Sequence, residues 1–306
     1  MSLRTKLYRQ KEKYKRYLNR RQYGHCTVLL YHRVIDMDYD PQMLCVGVRQ
    51  FKTQLELLKK KNVFLSIDEF SDILRAGKNF PKNSLVVSFD DGYADNYYNA
   101  VPILESLNIP AVFYISTAGI NTSDLMWWDE LDLAFKKRSG ANDDELYKNY
   151  LVKCKTASSL ADREQLMNEV RGMAQDTPEK NNYKMLSDDE LKKMAASKMV
   201  TIGGHTINHL SLGHLNEEDQ KREIEGSVKK LKELLGKEIQ HFSYPYGEKV
   251  NYNEATLSIC KQMGLLSAAA NYEGYVTKGA DLFSYPRFVV RNDPPEILNK
   301  KLQAIL

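Results

Sequence analysis

No stretch of this chain approaches the roughly 18 consecutive apolar residues of an α-helical membrane span, so a transmembrane protein is not expected. The N-terminus also lacks an apolar core of the length a secretory signal needs, and export by a cleaved signal is not expected. Cysteine is scarce: Cys26, Cys45, Cys154 and Cys260 are scattered over 306 residues with no CxxC spacing. That excludes a zinc knuckle, a redox pair and a disulfide framework, and a reducing cytoplasm is the expected location. A strong excess of one charge is missing too, since the net charge is only +4. The segment from Arg4 to Arg21 sets nine basic residues against Glu12 alone and accounts for more than all of it. A nucleic-acid-binding protein usually spreads its basic residues over a face among stacking aromatics, so no nucleic-acid partner is expected. No linker and no internal repeat is visible.

What is present is a chain that is 42% hydrophobic and 27% charged, long enough to bury a sizeable core. Residues 1–24 form an expected basic N-terminal helix, with Leu3, Leu7, Tyr14 and Leu18 as a partial apolar stripe. Such a helix either packs its stripe on the main domain or lies on an anionic membrane surface through residues 1–21, which would place the protein peripherally at the inner membrane face.

From residue 25 to 306 a single domain is expected, built on a β-then-α rhythm. Strands are predicted at Thr27–His32, Val63–Leu65, Leu85–Phe89, Ala111–Ile115, Met199–Ile202, Ile239–Phe242, Leu265–Ala269 and Phe288–Val290. Their continuous apolar runs indicate a parallel sheet buried on both faces, and seven or eight such units favour a closed or nearly closed barrel. Ser66 with Glu69, and Ser187 with Glu190, predict capping boxes at two helix starts. Between residues 129 and 185 the strand signal disappears and a helical insertion is expected.

The polar residues that matter sit where the strands end, and in parallel barrels the chemistry collects at the C-terminal ends of strands. His32 closes the LLYH run, Asp90 and Asp91 follow LVVSF, His205 and His209 form HTINH, and Tyr244–Gly247 follows the strand at Phe242. Two imidazoles and a carboxylate suit a divalent metal with an open position, and a spare carboxylate suits a base acting on bound water. The i, i+4 histidines share a face if they enter a helical turn.

With SFDDGYADNY from Ser88, HTINH from His205 and YPYG from Tyr244, in that order after YHRV and ahead of PRFVV, the chain resembles the polysaccharide deacetylases of carbohydrate esterase family four, the nodulation-deacetylase type. The resemblance runs from about Cys26 to Asn292. It implies an α/β fold, a deformed (β/α)7-type parallel barrel with the helical insertion, and removal of an N-acetyl or small N-acyl group from an amino sugar. By the same resemblance Asp90 is the general base, Asp91, His205 and His209 hold the metal, expected to be Zn2+, and the backbone N–H of Tyr246 faces the oxyanion while its ring lines the substrate groove.

Two departures from the family pattern leave gaps. Ser243 stands where many relatives carry the arginine that orients the base, and Arg287 in PRFVV is the candidate replacement. No histidine follows His241 to act as the general acid, and His32 is the candidate there. Trp127 and Trp128 are candidates for stacking on sugar rings, or for anchoring the insertion to the barrel. The expected substrate is an amino-sugar glycan or a lipid-linked sugar precursor. A catalytically silent glycan-binding protein, an O-acetyl esterase and a two-histidine, one-carboxylate iron oxygenase are the competing readings.

Overall fold

The computed structural model describes residues 24–136, 141–173 and 182–305. The expected N-terminal helix over 1–24 lies outside the described residues except for Gly24. In chain order the elements are β1 (Cys26–Tyr31), β2 (Arg33–Val34), β3 (Cys45–Val46), α1 (Val48–Lys59), β4 (Val63–Phe64), α2 (Ile67–Arg75) and β5 (Ser84–Phe89). There follow α3 (Val101–Leu107), β6 (Ala111–Ile115), α4 (Trp127–Phe135), α5 (Ala141–Lys155), α6 (Leu160–Met173), α7 (Asp188–Ala195) and β7 (Val200–Gly204). The chain ends with α8 (Glu217–Leu235), β8 (His241–Ser243), α9 (Glu254–Gln262), β9 (Ser267–Ala269), β10 (Phe288–Val289) and α10 (Pro295–Ile305).

The main sheet runs β10-β1-β5-β6-β7-β8-β9, every pair parallel, with β4 alongside the start of β5. It curls until Tyr285, on the segment leading into β10, meets Ala269 of β9 in one further parallel bridge. Seven strands therefore form a deformed (β/α)7 barrel, the architecture expected from the sequence. Every residue of β1, β5 and β6 is buried, because helices cover the outside and side chains fill the inside.

Alternation sorts the strand residues into two layers. Leu29, Tyr31, Val87, Phe89, Phe113 and Ile115 join the core shared with α1, α3, α7 and α10. Cys26, Val28, Val86, Val112, Tyr114 and Ala269 belong to an inner cluster that Phe70 and Leu74 of α2 complete. Both predicted capping boxes form: Ser66 and Ser187 each accept from the N–H three residues on, while Glu69 and Glu190 reach back to the cap N–H. The segment between β6 and β7 is helical, as α4, α5 and α6, and packs around its own core of Trp128, Leu131, Cys154 and Met167. The short β2–β3 pair, just past His32, has no periodic signal and was not anticipated.

Candidate active site

Asp90 and Asp91 leave the end of β5 in different directions because the backbone turns sharply between them. Asp91 has φ +79° and Gly92 φ +95°, both in the left-handed region. The φ at position 92 favours glycine, and a Cβ there would also crowd the Ile115 side chain at 3.0 Å. Asp90 points across the barrel, where Arg287 grips it with two hydrogen bonds of 2.7 Å, one to each carboxylate oxygen. Ser243 donates to the same carboxylate at 3.2 Å and accepts from Arg287 at 2.7 Å. The small residue at 243 leaves the space that the guanidinium enters from the last strand. Both charged groups are buried, and although burial opposes ionisation of Asp90, the Arg287 charge holds its carboxyl below the usual range.

Asp91 faces the two histidines instead. Its Oδ1 lies 3.6 Å from Nε2 of His205 and 3.3 Å from Nε2 of His209. One donor atom from each of Asp91, His205 and His209 falls within 4.8 Å of the others, all three buried. Asp91 Oδ1 is buried with no hydrogen-bond partner of good geometry among the described residues, as an atom reserved for a cation should be. His205 Nδ1 is bonded to the Ser243 carbonyl at 2.7 Å, which turns Nε2 toward the site. Burial disfavours a charged His205, but Asp90 and Asp91 raise its pKa above the ordinary value. For His209 burial dominates and lowers the pKa to about 4, so its ring is neutral and able to ligate. The donor set fits a divalent cation that accepts nitrogen and oxygen.

The two histidines do not share a helical face, contrary to that part of the sequence reading. HTINH is an irregular loop with Thr206 at φ +65° and His209 at φ +53°. A β-branched residue in that region is strained, and it persists because surrounding groups hold it. Thr206 Oγ1 accepts from the His209 N–H at 2.9 Å. Glu223 of α8 accepts from the N–H groups of Ile207 and Asn208 at 3.0 and 2.8 Å. Arg163, from α6 of the insertion, donates to the carbonyls of Asn208 and His209 at 2.8 and 3.2 Å. Neither clamp was named from the sequence. Glu223 sits on a helix rich in surface charge, and only its buried position sets it apart.

His32 ends β1 at the same rim, its carbonyl accepting from Asn96 at 3.1 Å. Burial, with help from Arg287 and Arg291, lowers its pKa even though Asp91 and Asp90 pull the other way. Arg291, also unanticipated, donates to the carbonyls of Gln42 and Met43 and so ties the loop after β2 to the last strand. Tyr246 has φ +62°, and among the described residues its N–H makes no hydrogen bond, while its ring packs on His209 at 4.7 Å. Trp127 and Trp128 are only 7% and 4% exposed, so neither offers the open face that stacking on a sugar requires. Trp128 instead packs edge-on to His209 at 4.6 Å and donates to the Tyr93 hydroxyl at 2.8 Å.

The sequence model described as polysaccharide deacetylase matches residues 77–268, more than half of the chain. The chain belongs to the polysaccharide deacetylase family. The match takes in Asp90, Asp91, His205, His209 and Tyr246, whereas His32 and Arg287 lie outside it. A poly-β-1,6-N-acetyl-D-glucosamine N-deacetylase of Staphylococcus aureus is 28% identical over 257 residues, covering 84% of this chain and 71% of that protein. The enzyme of the same name from Staphylococcus epidermidis is 27% identical over 254 residues, covering 83% and 70%. Among solved structures, the Streptococcus pyogenes deacetylase PplD in complex with acetate superposes with a TM-score of 0.63 at 20% identity, covering 93% of this chain and 99% of that one. IcaB from Ammonifex degensii does so at 0.63 and 20%, covering 92% and 97%. These likenesses show a shared fold for the polysaccharide deacetylase chain.

Proposed function

We propose that this family member is a metal-dependent N-deacetylase that releases acetate from N-acetylated amino sugars in a glycan of the poly-N-acetylglucosamine kind. One observation carries the reading: a carboxylate clamped by a guanidinium, Asp90 on Arg287, stands beside a separate cation-binding set, Asp91, His205 and His209. The names of the staphylococcal relatives supply the substrate class. Two nitrogen donors and one oxygen donor favour zinc.

A bound Zn2+ supplies the Lewis acidity that polarises the amide carbonyl and acidifies water. Asp90 takes the proton from the attacking water, and Arg287 keeps that carboxylate ionised and fixed in orientation. The Tyr246 N–H, aimed by its left-handed backbone, donates to the oxygen on which charge develops. His32, at the end of β1 on the same rim, delivers a proton to the amine nitrogen as the C–N bond breaks, which leaves acetate and a free amino sugar. The buried face of Trp128 and the ring of Tyr246 flank His209 and keep bulk water from that ligand.

The reading is tested by incubating zinc-loaded protein with a β-1,6-linked N-acetylglucosamine oligomer and measuring acetate. Release that is abolished by chelation and by Asp90→Asn is expected; no release from this or any other N-acetylated amino sugar would overturn it. The basic segment from Arg4 to Arg21 adds a second element to the proposal, peripheral contact with anionic lipid at the inner membrane face. Deletion of residues 1–21 should then abolish sedimentation with anionic vesicles, and unchanged sedimentation would remove that element.

A further inference from the structure

The barrel interior below Asp90 is not uniformly apolar. At its far end Asp68 of α2 bonds His241 Nε2 at 2.9 Å, and His241 Nδ1 bonds Ser267 Oγ at 2.8 Å. Tyr285 stands next to Ser267, and its hydroxyl meets that of Tyr114 at 2.9 Å. The guanidinium carbon of Arg287 then lies over the Tyr114 ring, 5.8 Å from its centroid. A continuous polar column thus runs from half-exposed Asp68 to the group that clamps Asp90, through side chains that are otherwise fully buried.

Two details mark the upper part of this column as built for Arg287. All the guanidinium nitrogens are engaged at their edges: Nε donates to the Ala270 carbonyl at 2.8 Å, and the terminal nitrogens go to Asp90 and Ser243 at 2.7 Å. Hydrogen bonding is therefore used up around the rim of the group, and only its face is left for Tyr114 to cover. The ring of Tyr114 also crosses the barrel beside Gly203, the first of the two glycines that end β7. A Cβ at Gly203 would stand 2.5 Å from Cδ1 of Tyr114 and 2.7 Å from the His241 carbonyl, so no larger residue admits the ring.

We propose that Tyr114, locked by Tyr285 and by the space at Gly203, is a positioning residue that sets the plane of Arg287 and through it the carboxylate of Asp90. Its role in turnover rests on the deacetylase reading above; its hold on Arg287 does not. In the zinc-loaded protein Tyr114→Leu removes the platform, whereas Tyr114→Phe keeps the ring. A face contact of this kind predicts a kcat about tenfold lower for Tyr114→Leu, with KM and zinc affinity within about twofold and most of the rate regained in Tyr114→Phe. The Nε–H resonance of Arg287, assigned by its loss in Arg287→Lys, should shift and exchange faster in the leucine variant and stay in place in the phenylalanine variant. An unmoved resonance in Tyr114→Leu, or a loss of rate that only tracks lost zinc, would overturn the proposal. Should Tyr114→Leu not fold, Tyr114→Met removes the ring while filling more of its space; faster exchange at Arg287 then supports the proposal and unchanged exchange refutes it. If the wild-type protein releases no acetate, the deacetylase reading fails and the resonance alone decides the position of Arg287.

Discussion

The Asp90–Arg287 pair is a buried ion pair with hydrogen bonds at both ends, and such pairs cost far more to break than to replace. Arg287→Ala should lower kcat by about two to three orders of magnitude and stability by about 3 kcal/mol, because Asp90 is left buried and unpaired. Arg287→Lys should rescue little, since an ammonium cannot reproduce the two-pronged grip. Steady-state rates with urea unfolding check both statements. His209 presents a different problem: its Nδ1 is buried without a partner among the described residues, so ring packing by Trp128, Tyr246 and His205 fixes its orientation. Trp128→Leu should therefore weaken divalent-metal binding by about tenfold, in the range seen when a group that orients a metal ligand is lost, as read by competition with a chromophoric chelator. Tight binding retained in that variant would mean the ring packing is incidental. The residue identities Asp90, Asp91, His205 and His209 were legible in FDDG and HTINH, and Arg287 was found by asking what replaces an arginine absent at Ser243. Arg163 and Glu223 were not legible, because a charged residue in a helix carries no mark of being buried against the histidine loop until the fold is known, and Arg291 carries none of its hold on the loop after β2.

At the scale of elements, the insertion does more than interrupt the barrel rhythm. Through Arg163 it clamps the HTINH loop, and through Trp128 it braces His209, so the site is assembled between barrel and insertion. The start of α4 also carries a titrating group. Burial raises Asp129 to about 7, against the attraction of Arg33 and the hydrogen bond from Tyr93. The folded protein thus holds this proton more tightly than the unfolded chain, where an aspartate titrates near ~4. The stabilisation is complete below about pH 4 and is lost as pH rises through about 7. Asp129→Asn removes that loss, so the melting temperature of the variant relative to wild type should rise by a few degrees between pH 5 and pH 8. A constant difference across that range would contradict a buried protonated Asp129. Strand positions were readable to within two residues because continuous apolar runs mark strands buried on both faces. The left-handed residues Thr206 and His209 were not, since the groups that hold their loop, Glu223 and Arg163, are distant in sequence and leave no local composition signal.

At the scale of the whole molecule, strands that are far apart in sequence converge on one rim. β1 brings His32, β5 the two aspartates, the loop after β7 the histidines, the loop after β8 Tyr246, and the segment entering β10 Arg287. A cation held by residues from separate strands binds only the folded chain, so chelation should lower the melting temperature by several degrees, following the mass-action relation in which free metal at 1,000 times Kd contributes about 4 kcal/mol. An unchanged melting temperature would mean the three ligands do not hold the ion together. The most direct test of the division of labour at this rim is a double-mutant cycle on kcat for acetate release, using Asp90→Asn, Arg287→Met and the pair. If Arg287 acts through Asp90, each single change lowers kcat steeply, and the double variant is no slower than Asp90→Asn alone. Losses that multiply in the double variant would show that the two residues act independently, and the clamp across the barrel would not be what makes Asp90 a base.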